Sequence, residues 1–335
     1  MPALHSKEQV GKRESLADLI SIIEAEGCPL TSMLNKRKRP NQEKNEWQIK
    51  KYPVTGHEGV LDRKDVDNFT SNPRVRVAAM AQKTWHNPGV SDFSEEAEVA
   101  GLSKGEMAEQ ISDALVTVKR QIEKRCLSDA ESQEDNGQVP NETRGAFKWV
   151  ESAAQSHFPV PDGYRTSAGN IYTGTLVALT EDVLIAMCNS AYLERNGPSN
   201  LKGFVGVALK AHISNYTRYD SSVVGKESVR MFNQDAGSKA VINCVDILKF
   251  DTGKINLLLA PFLLTHRKTG ERTAASTMAG LFIDPTMWGL AYTRMPRVRR
   301  LEDQGGGPRA IVDAIFMLMC DNPQGHLKVV PSAAS

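Results

Sequence analysis

SKGEMAEQISDALVTVKRQIEKRCL, residues 103–127, places its apolar side chains at Met107, Ile111, Leu115, Val118, Ile122 and Cys126. The intervals are fours and one three, the period of a single helical face. Glu106, Glu109, Asp113, Lys119, Arg120, Glu123 and Lys124 fall mostly on the other faces. Ser103 followed by Glu106 has the form of a capping box. Acids gather in the first half and bases in the second, the order the helix dipole favours. A helix of about 24 residues is roughly 36 Å long, about twice the usual length. A long helix with one narrow apolar stripe needs a partner along its whole length.

The rest of the composition bounds the function. The chain has 335 residues, room for two or more domains, and a net charge of +1. Strong polyanion or membrane-surface binding normally comes with a large basic surplus, which is missing. The five cysteines, Cys28, Cys126, Cys188, Cys244 and Cys320, are dispersed and mostly sit in apolar runs. They read as reduced, buried thiols of a cytoplasmic protein, not as a disulfide frame or zinc site. Met1–Glu14 is polar without an apolar core, so no signal peptide is read, and no apolar run approaches the roughly 20 residues of a membrane span.

Outward from the helix the pattern alternates between short elements and polar links. Met1–Glu14 reads as an arm. Leu16, Leu19, Ile20, Ile22 and Ile23 make a short amphipathic helix ended by Gly27 and Pro29. Lys36–Arg39 is a basic cluster, readable as a solvated turn, as ion pairs or as a phosphate contact. Glu46–Val54 and Arg74–Trp85 read as strands separated by a polar, glycine-bearing tip. Such a ribbon is marginal in water and makes sense lying on another chain. Ser128–Gly145 reads as a long exposed loop, Phe147–Phe158 as a helix, and Thr180–Arg195 as a helix capped by Thr180 and stopped at Gly197-Pro198. Gly203–Leu209 reads as a strand, followed by a helix over Ala208–Tyr216. Val241–Phe250, Lys254–Thr265, Gly280–Asp284 and Met287–Met295 read as strands. Arg309–Cys320, apolar on both faces, reads as a central buried one.

Catalytic signatures are missing. There is no P-loop, no nucleophile elbow, no H-E-x-x-H and no set of ligands with metal spacing. Gly305-Gly306-Gly307 lacks the following helix of a phosphate cradle and reads as a turn. Glu181 and Asp182 are explained by a helix N-terminus. The chain is therefore expected not to be an enzyme, with no catalytic residue, cofactor or metal.

The order of pieces resembles the Hong Kong-type major capsid fold of tailed bacteriophages, shared with encapsulins. In detail it is similar to the branch described for an elongated podovirus. The resemblance rests on Arg13–Ile20, Cys28-Pro29-Leu30, Glu46-Trp47, Glu58-Gly59 and the long helix. It continues through Asp284-Pro285, Trp288, Leu290-Ala291-Tyr292, Arg294, Pro296, Leu301, Asn322-Pro323 and His326. It spans about residues 12–330 and is thinnest over 86–102 and 128–174.

The resemblance implies an α+β chain with five parts. These are an N-terminal arm (1–44), an extended hairpin arm or E-loop with its link (45–102), and a peripheral domain with the spine helix (103–174). An axial domain (175–272) and return strands (273–335) complete it. It implies a shell subunit of the virion that assembles with itself into hexamers and pentamers in the host cytoplasm and encloses double-stranded DNA. Scaffolding, portal and decoration proteins would be further partners, with no membrane. Trp47, Lys50, Lys51, Arg74 and Arg76 on the arm, and Glu95, Glu96 and Glu98 on the link, are the expected inter-subunit contacts. The rival readings are an encapsulin-like nanocompartment, a soluble α/β enzyme, and a DNA-binding protein using Lys36–Arg39 and Arg294–Arg300.

Overall fold

The computed structural model describes residues 27–60, 62, 65, 69, 71–97, 105–217, 232–233, 240–241 and 245–332. The expected first arm and helix, Cys244 and Glu98 lie outside them. The first described elements are α1 (Pro29–Met33), β1 (Asn35–Arg37) and β2 (Lys44–Ile49), with β3 (Val75–Met80) returning from the arm. β4 (Gln82–His86) and α2 (Asp92–Glu96) lead to the spine helix α3 (Glu106–Cys126). Next come α4 (Ala146–Trp149), β5 (Ile171–Tyr172), α5 (Glu181–Arg195), β6 (Ser199–Val205) and α6 (Val207–Ser214). β7 (Phe232–Asn233), β8 (Ala240–Val241), β9 (Ile247–Phe250), β10 (Gly253–Leu259), α7 (Ala274–Met278) and β11 (Gly280–Ile283) follow. β12 (Trp288–Leu301), β13 (Arg309–Cys320) and β14 (Leu327–Val329) close the chain.

Two sheets hold these together. The first has the order β1-β12-β13-β4, and α3 packs across β4, β13 and β12. Of the expected stripe, Met107, Val118, Ile122 and Cys126 are buried, with Ala114 added, while Ile111 and Leu115 are half-buried. β13 is largely buried on both faces, as its mostly apolar run predicts, and Asp313, which interrupts that run, is buried against arginines. The second sheet has the mixed order β5-β14-β11-β6-β10-β9. Met187, Cys188 and Ala191 of α5 and Leu209 and Ile213 of α6 make its separate core with Leu201, Val205 and Ile255. Thr180 caps α5 through Val183 N–H, and Asn196, left-handed at φ 53°, ends it.

Several expectations need correction. α3 begins at Glu106 after Gly105, which lies at φ 83°, and Ser103 of the expected capping box lies outside the described residues. The Glu95 carboxylate, from α2, accepts instead from Met107 N–H at 2.8 Å. Phe147–Phe158 is helical only over α4, and at its far end the Arg144 guanidinium donates to the carbonyls of His157 and Phe158. The 128–145 loop is not simply exposed: Ser132, Glu142, Thr143 and Arg144 are buried. The strand read as Arg74–Trp85 divides at Ala81 into β3, paired with β2, and β4, paired with β13. Lys36 and Arg37 belong to a strand, β1, and Arg37 is ion-paired with Asp321.

Candidate assembly surfaces

The arm has a root and a tip with different chemistry. At the root, β2 and β3 pair from Lys44↔Met80 to Ile49↔Val75. Val77, Ala78, Ala79 and Met80 are buried, so the inner end of the ribbon belongs to the core of the first sheet. Trp47 stacks on Trp149 with ring centroids 6.0 Å apart, and the Arg144 guanidinium lies 4.5 Å from the other ring's centre. Phe147 and Trp149 are completely buried, each stabilising by about 2–3 kcal/mol. Lys44 sits 4.4 Å over the Phe158 ring and pairs with Glu46 at 2.8 Å. That hydrogen bond, with the Lys44 charge and a smaller effect of Arg76, holds the Glu46 carboxyl below its ordinary value. Lys51 N–H donates to the Tyr164 hydroxyl at 3.3 Å, and its ammonium donates to the Gly163 carbonyl.

Beyond Ile49 the ribbon stops pairing. Residues 50–60 form no strand, and Tyr52, Val54, Val60 and Phe69 are 87%, 103%, 79% and 89% exposed. Isolated apolar residues on a surface are ordinary, and here four large ones fall within one extended tip.

Buried charges fasten the segments around the spine helix. The Glu123 carboxylate, fully buried, accepts from Leu30 N–H and Thr31 N–H, both at 2.8 Å. Burial pushes its pKa up, and the two amide bonds pull against that shift. Arg125 donates to the Thr143 carbonyl at 2.7 Å and pairs with Glu142 at 3.0 Å. Arg144 pairs with Glu131 at 2.8 Å. Burial lowers both arginines' pKa values, opposed by these carboxylates. Nothing in the helical period signals these pairs, because charge pattern alone does not say which charge is buried.

A third set joins the two sheets. His326, completely buried, accepts from the Trp288 indole N–H at 2.9 Å, and Arg195 pairs with Asp284 at 2.9 Å beside it. Burial, then the Arg195 charge, lowers the His326 pKa to about 3, so the imidazole is neutral.

The sequence-predicted contact residues therefore sit in different settings. Trp47 is half-buried at the root. Arg74 bonds Gln48 at 3.3 Å, and Arg76, 77% exposed, pairs with Glu46 at 3.7 Å. Lys50 lies 5.8 Å over the Tyr52 ring. Glu95 caps α3 within the same chain, and Glu96 is exposed. The apolar tip residues were missed because each stands alone among polar neighbours in the sequence.

Among the described residues no group of three or more His, Cys, Asp or Glu is arranged to hold a metal. No described helix is long and apolar enough to cross a membrane. A cleft of about 770 Å³ between α3 and residues 264–270 is lined by charged side chains such as Lys124, Arg125 and Arg267. Burial raises the Cys126 and Cys320 pKa values well above ordinary and that of Cys188 to about 12, which leaves these thiols unreactive.

The spine helix, the arm and the two sheets recur in solved phage shells. The model of the SU10 major capsid protein family matches residues 4–332. The chain belongs to this family. It is a tailed-phage major capsid protein, a structural component of the virion that assembles with itself into capsid oligomers. No curated protein matches the sequence. The bacteriophage PhiM1 mature capsid is similar in fold at 8% identity, with 99% of this chain and 96% of that one covered and a TM-score of 0.61. A native GTA particle capsid gives 11% identity, 98% and 98% coverage and a TM-score of 0.60. The capsid of cyanophage P-SCSP1u gives 10%, 96% and 93%, and 0.59.

Proposed function

We propose that this capsid protein builds its shell from hexamers and pentamers by laying the arm of each subunit on a neighbour. The observation that carries this is the exposed apolar tip, Tyr52, Val54, Val60 and Phe69, on a ribbon whose root is fixed in its own subunit. An apolar surface of that kind gains by burial, at roughly 25 cal/mol per Å² removed from water. Identical subunits contacting through unlike surfaces close into rings and shells.

In this reading residues 1–44 and 45–102 are the two arms. Residues 103–174 with 273–335 form the peripheral domain, and 175–272 the axial domain. The first sheet with α3 corresponds to the peripheral part, and the α5–α6 layer with its separate core to the axial part. Lys50, Lys51, Arg74, Arg76 and Glu96 supply polar contacts at the rim of the arm. The protein performs no catalysis. It assembles in the host cytoplasm around a scaffold, joins a portal, carries decoration proteins where they occur, and encloses double-stranded DNA contacted without sequence preference. Negative-stain microscopy of the purified protein after size exclusion tests the reading. Shells, tubes or rings of five or six are expected, and a protein that remains monomeric both alone and with the phage's scaffolding protein contradicts it.

A further inference from the structure

The spine helix carries a polar stripe beside its apolar one. Thr117, Arg120, Gln121, Lys124 and Arg125 recur at alternating intervals of three and one, which sets them on one side of α3. They form one wall of the cleft of about 770 Å³, a volume within the range of about 300–1,000 Å³ usual for small-molecule sites. The facing wall is the segment 264–270, which follows β10. Leu264 N–H donates to the Leu127 carbonyl at 3.2 Å, and Gly270 N–H closes a turn on the His266 carbonyl at 2.8 Å. Both walls are therefore held within one subunit. Gly270 lies at φ 70°, and a Cβ added there would meet the Lys124 ammonium at 2.8 Å. The turn thus fits closely against that ammonium, with the Phe262 ring centre 5.3 Å from it.

Charge in the cleft is one-sided. Its lining holds Arg120, Lys124, Arg125, Arg267 and Lys268 against Asp129 and Glu142, a surplus of three positive charges. Glu142 is shared, because Arg125 pairs with it at 3.0 Å and Arg267 pairs with it too. Asp129 is engaged from outside the lining by Lys328 at 3.0 Å. Burial lowers the Arg125 pKa, Glu142 opposes that, and the like charge of Arg267 adds to the lowering. Cations at a helix C-terminus offset its dipole, which accounts for Lys124 and Arg125. It does not account for Arg267 and Lys268, which a separate segment brings to the same space. The uncharged lining adds donors. The Gln82 carbonyl oxygen accepts from Thr143 N–H at 3.3 Å, and that of Gln121 from the Thr84 hydroxyl at 2.6 Å. The amide NH2 groups are what remains for a ligand, and they require an acceptor.

We propose that this cleft binds a free, compact polyphosphate, a ligand that offers several charged acceptor oxygens in a small volume. Guanidinium and ammonium groups with amide donors between them match that chemistry. An anion placed between α3 and residues 264–270 relieves the crowding of Arg125 and Arg267 and fastens the segment after β10 to the spine helix. The site lies within a single subunit, so it does not depend on how the arm is used.

Calorimetric titration of the full chain with inorganic triphosphate tests it, beside inorganic phosphate at equal ionic strength. One triphosphate per chain is expected, bound at least tenfold more tightly than phosphate. At a hundredfold excess over its Kd it should raise the melting temperature by about 2 °C or more. Lys124→Gln with Lys268→Gln, which leaves the Glu142 ion pairs intact, is expected to weaken binding at least tenfold. Lys268→Glu alone changes an exposed side chain and keeps the test open should the double variant fold poorly; a loss of at least threefold is expected. Lys119→Gln, on the exposed side of the same helix, should bind as the wild type does. Absence of saturable triphosphate binding overturns the proposal, as does equal affinity for phosphate. A loss in Lys119→Gln as large as in Lys268→Glu would reduce the effect to diffuse surface charge and overturn it too. Displacement of triphosphate by random-sequence duplex DNA at equal phosphate concentration would assign the cleft to a nucleic-acid backbone and contradict a free ligand.

Discussion

The two ends of the arm solve opposite problems with similar residues. At the root, Trp47 meets Trp149, Val77–Met80 lie in the core, and Lys44 and Lys51 settle over aromatic rings. At the tip, Tyr52, Val54, Val60 and Phe69 meet nothing of their own subunit that removes them from water. One ribbon thus carries apolar side chains that stabilise the subunit and others whose burial is left to a partner. A two-stranded ribbon this thin does not persist on its own chemistry. Its root is held by the body, and that leaves the tip free to specialise in contact.

The comparison breaks if root and body substitutions are mild or if tip substitutions are severe for the isolated subunit. Trp149→Ala has the largest expected effect, about 3–5 kcal/mol, because it opens a cavity beneath Trp47 and Arg144. Chemical denaturation of the soluble subunit measures it. Glu123→Ala is next, at about 2–3 kcal/mol, since the buried amide of residue 30 and the half-buried amide of residue 31 lose their acceptor. A shift of the denaturation midpoint at unchanged slope is expected. His326 gives a pH-dependent effect. Its folded pKa lies below the ordinary 6.5, so its contribution is present above 6.5 and is lost as pH falls towards about 3. At pH 5 the loss is about 2 kcal/mol, from about 1.4 kcal/mol per unit. His326→Gln should flatten that slope in melting experiments run from pH 7 to pH 5. Phe69→Ser has the smallest expected effect on the subunit, within about 0.5 kcal/mol, and a strong one on assembly.

Much of the fold was legible in the sequence for physical reasons. The stripe of α3 follows from a period, the Thr180 cap from a hydroxyl before an apolar run, and β13 from a run of twelve residues, apolar on both faces but for Arg309 and Asp313. What escaped depends on long-range pairing. Arg144 bonds carbonyls 13 and 14 residues away, a contact that no local period announces. Glu95 replaces the expected capping box from another helix, and Glu123 reaches 92 and 93 residues back. Lys328, buried and ion-paired with Asp129 and Glu151, reads in sequence as an ordinary strand lysine. Of the assembly surface, the arm was legible as a whole, but its polar residues drew notice before the apolar ones. Sequence does not reveal which isolated valine or phenylalanine remains exposed once the chain has folded.

The most direct measurement is sedimentation of the wild type beside a variant carrying Tyr52→Ser, Val54→Ser, Val60→Ser and Phe69→Ser, each also melted as a subunit. The account predicts an unchanged melting temperature and loss of shells, tubes and rings in the variant. Wild-type assembly by the variant, or a subunit that no longer folds, would contradict the assignment of the tip to a neighbouring chain.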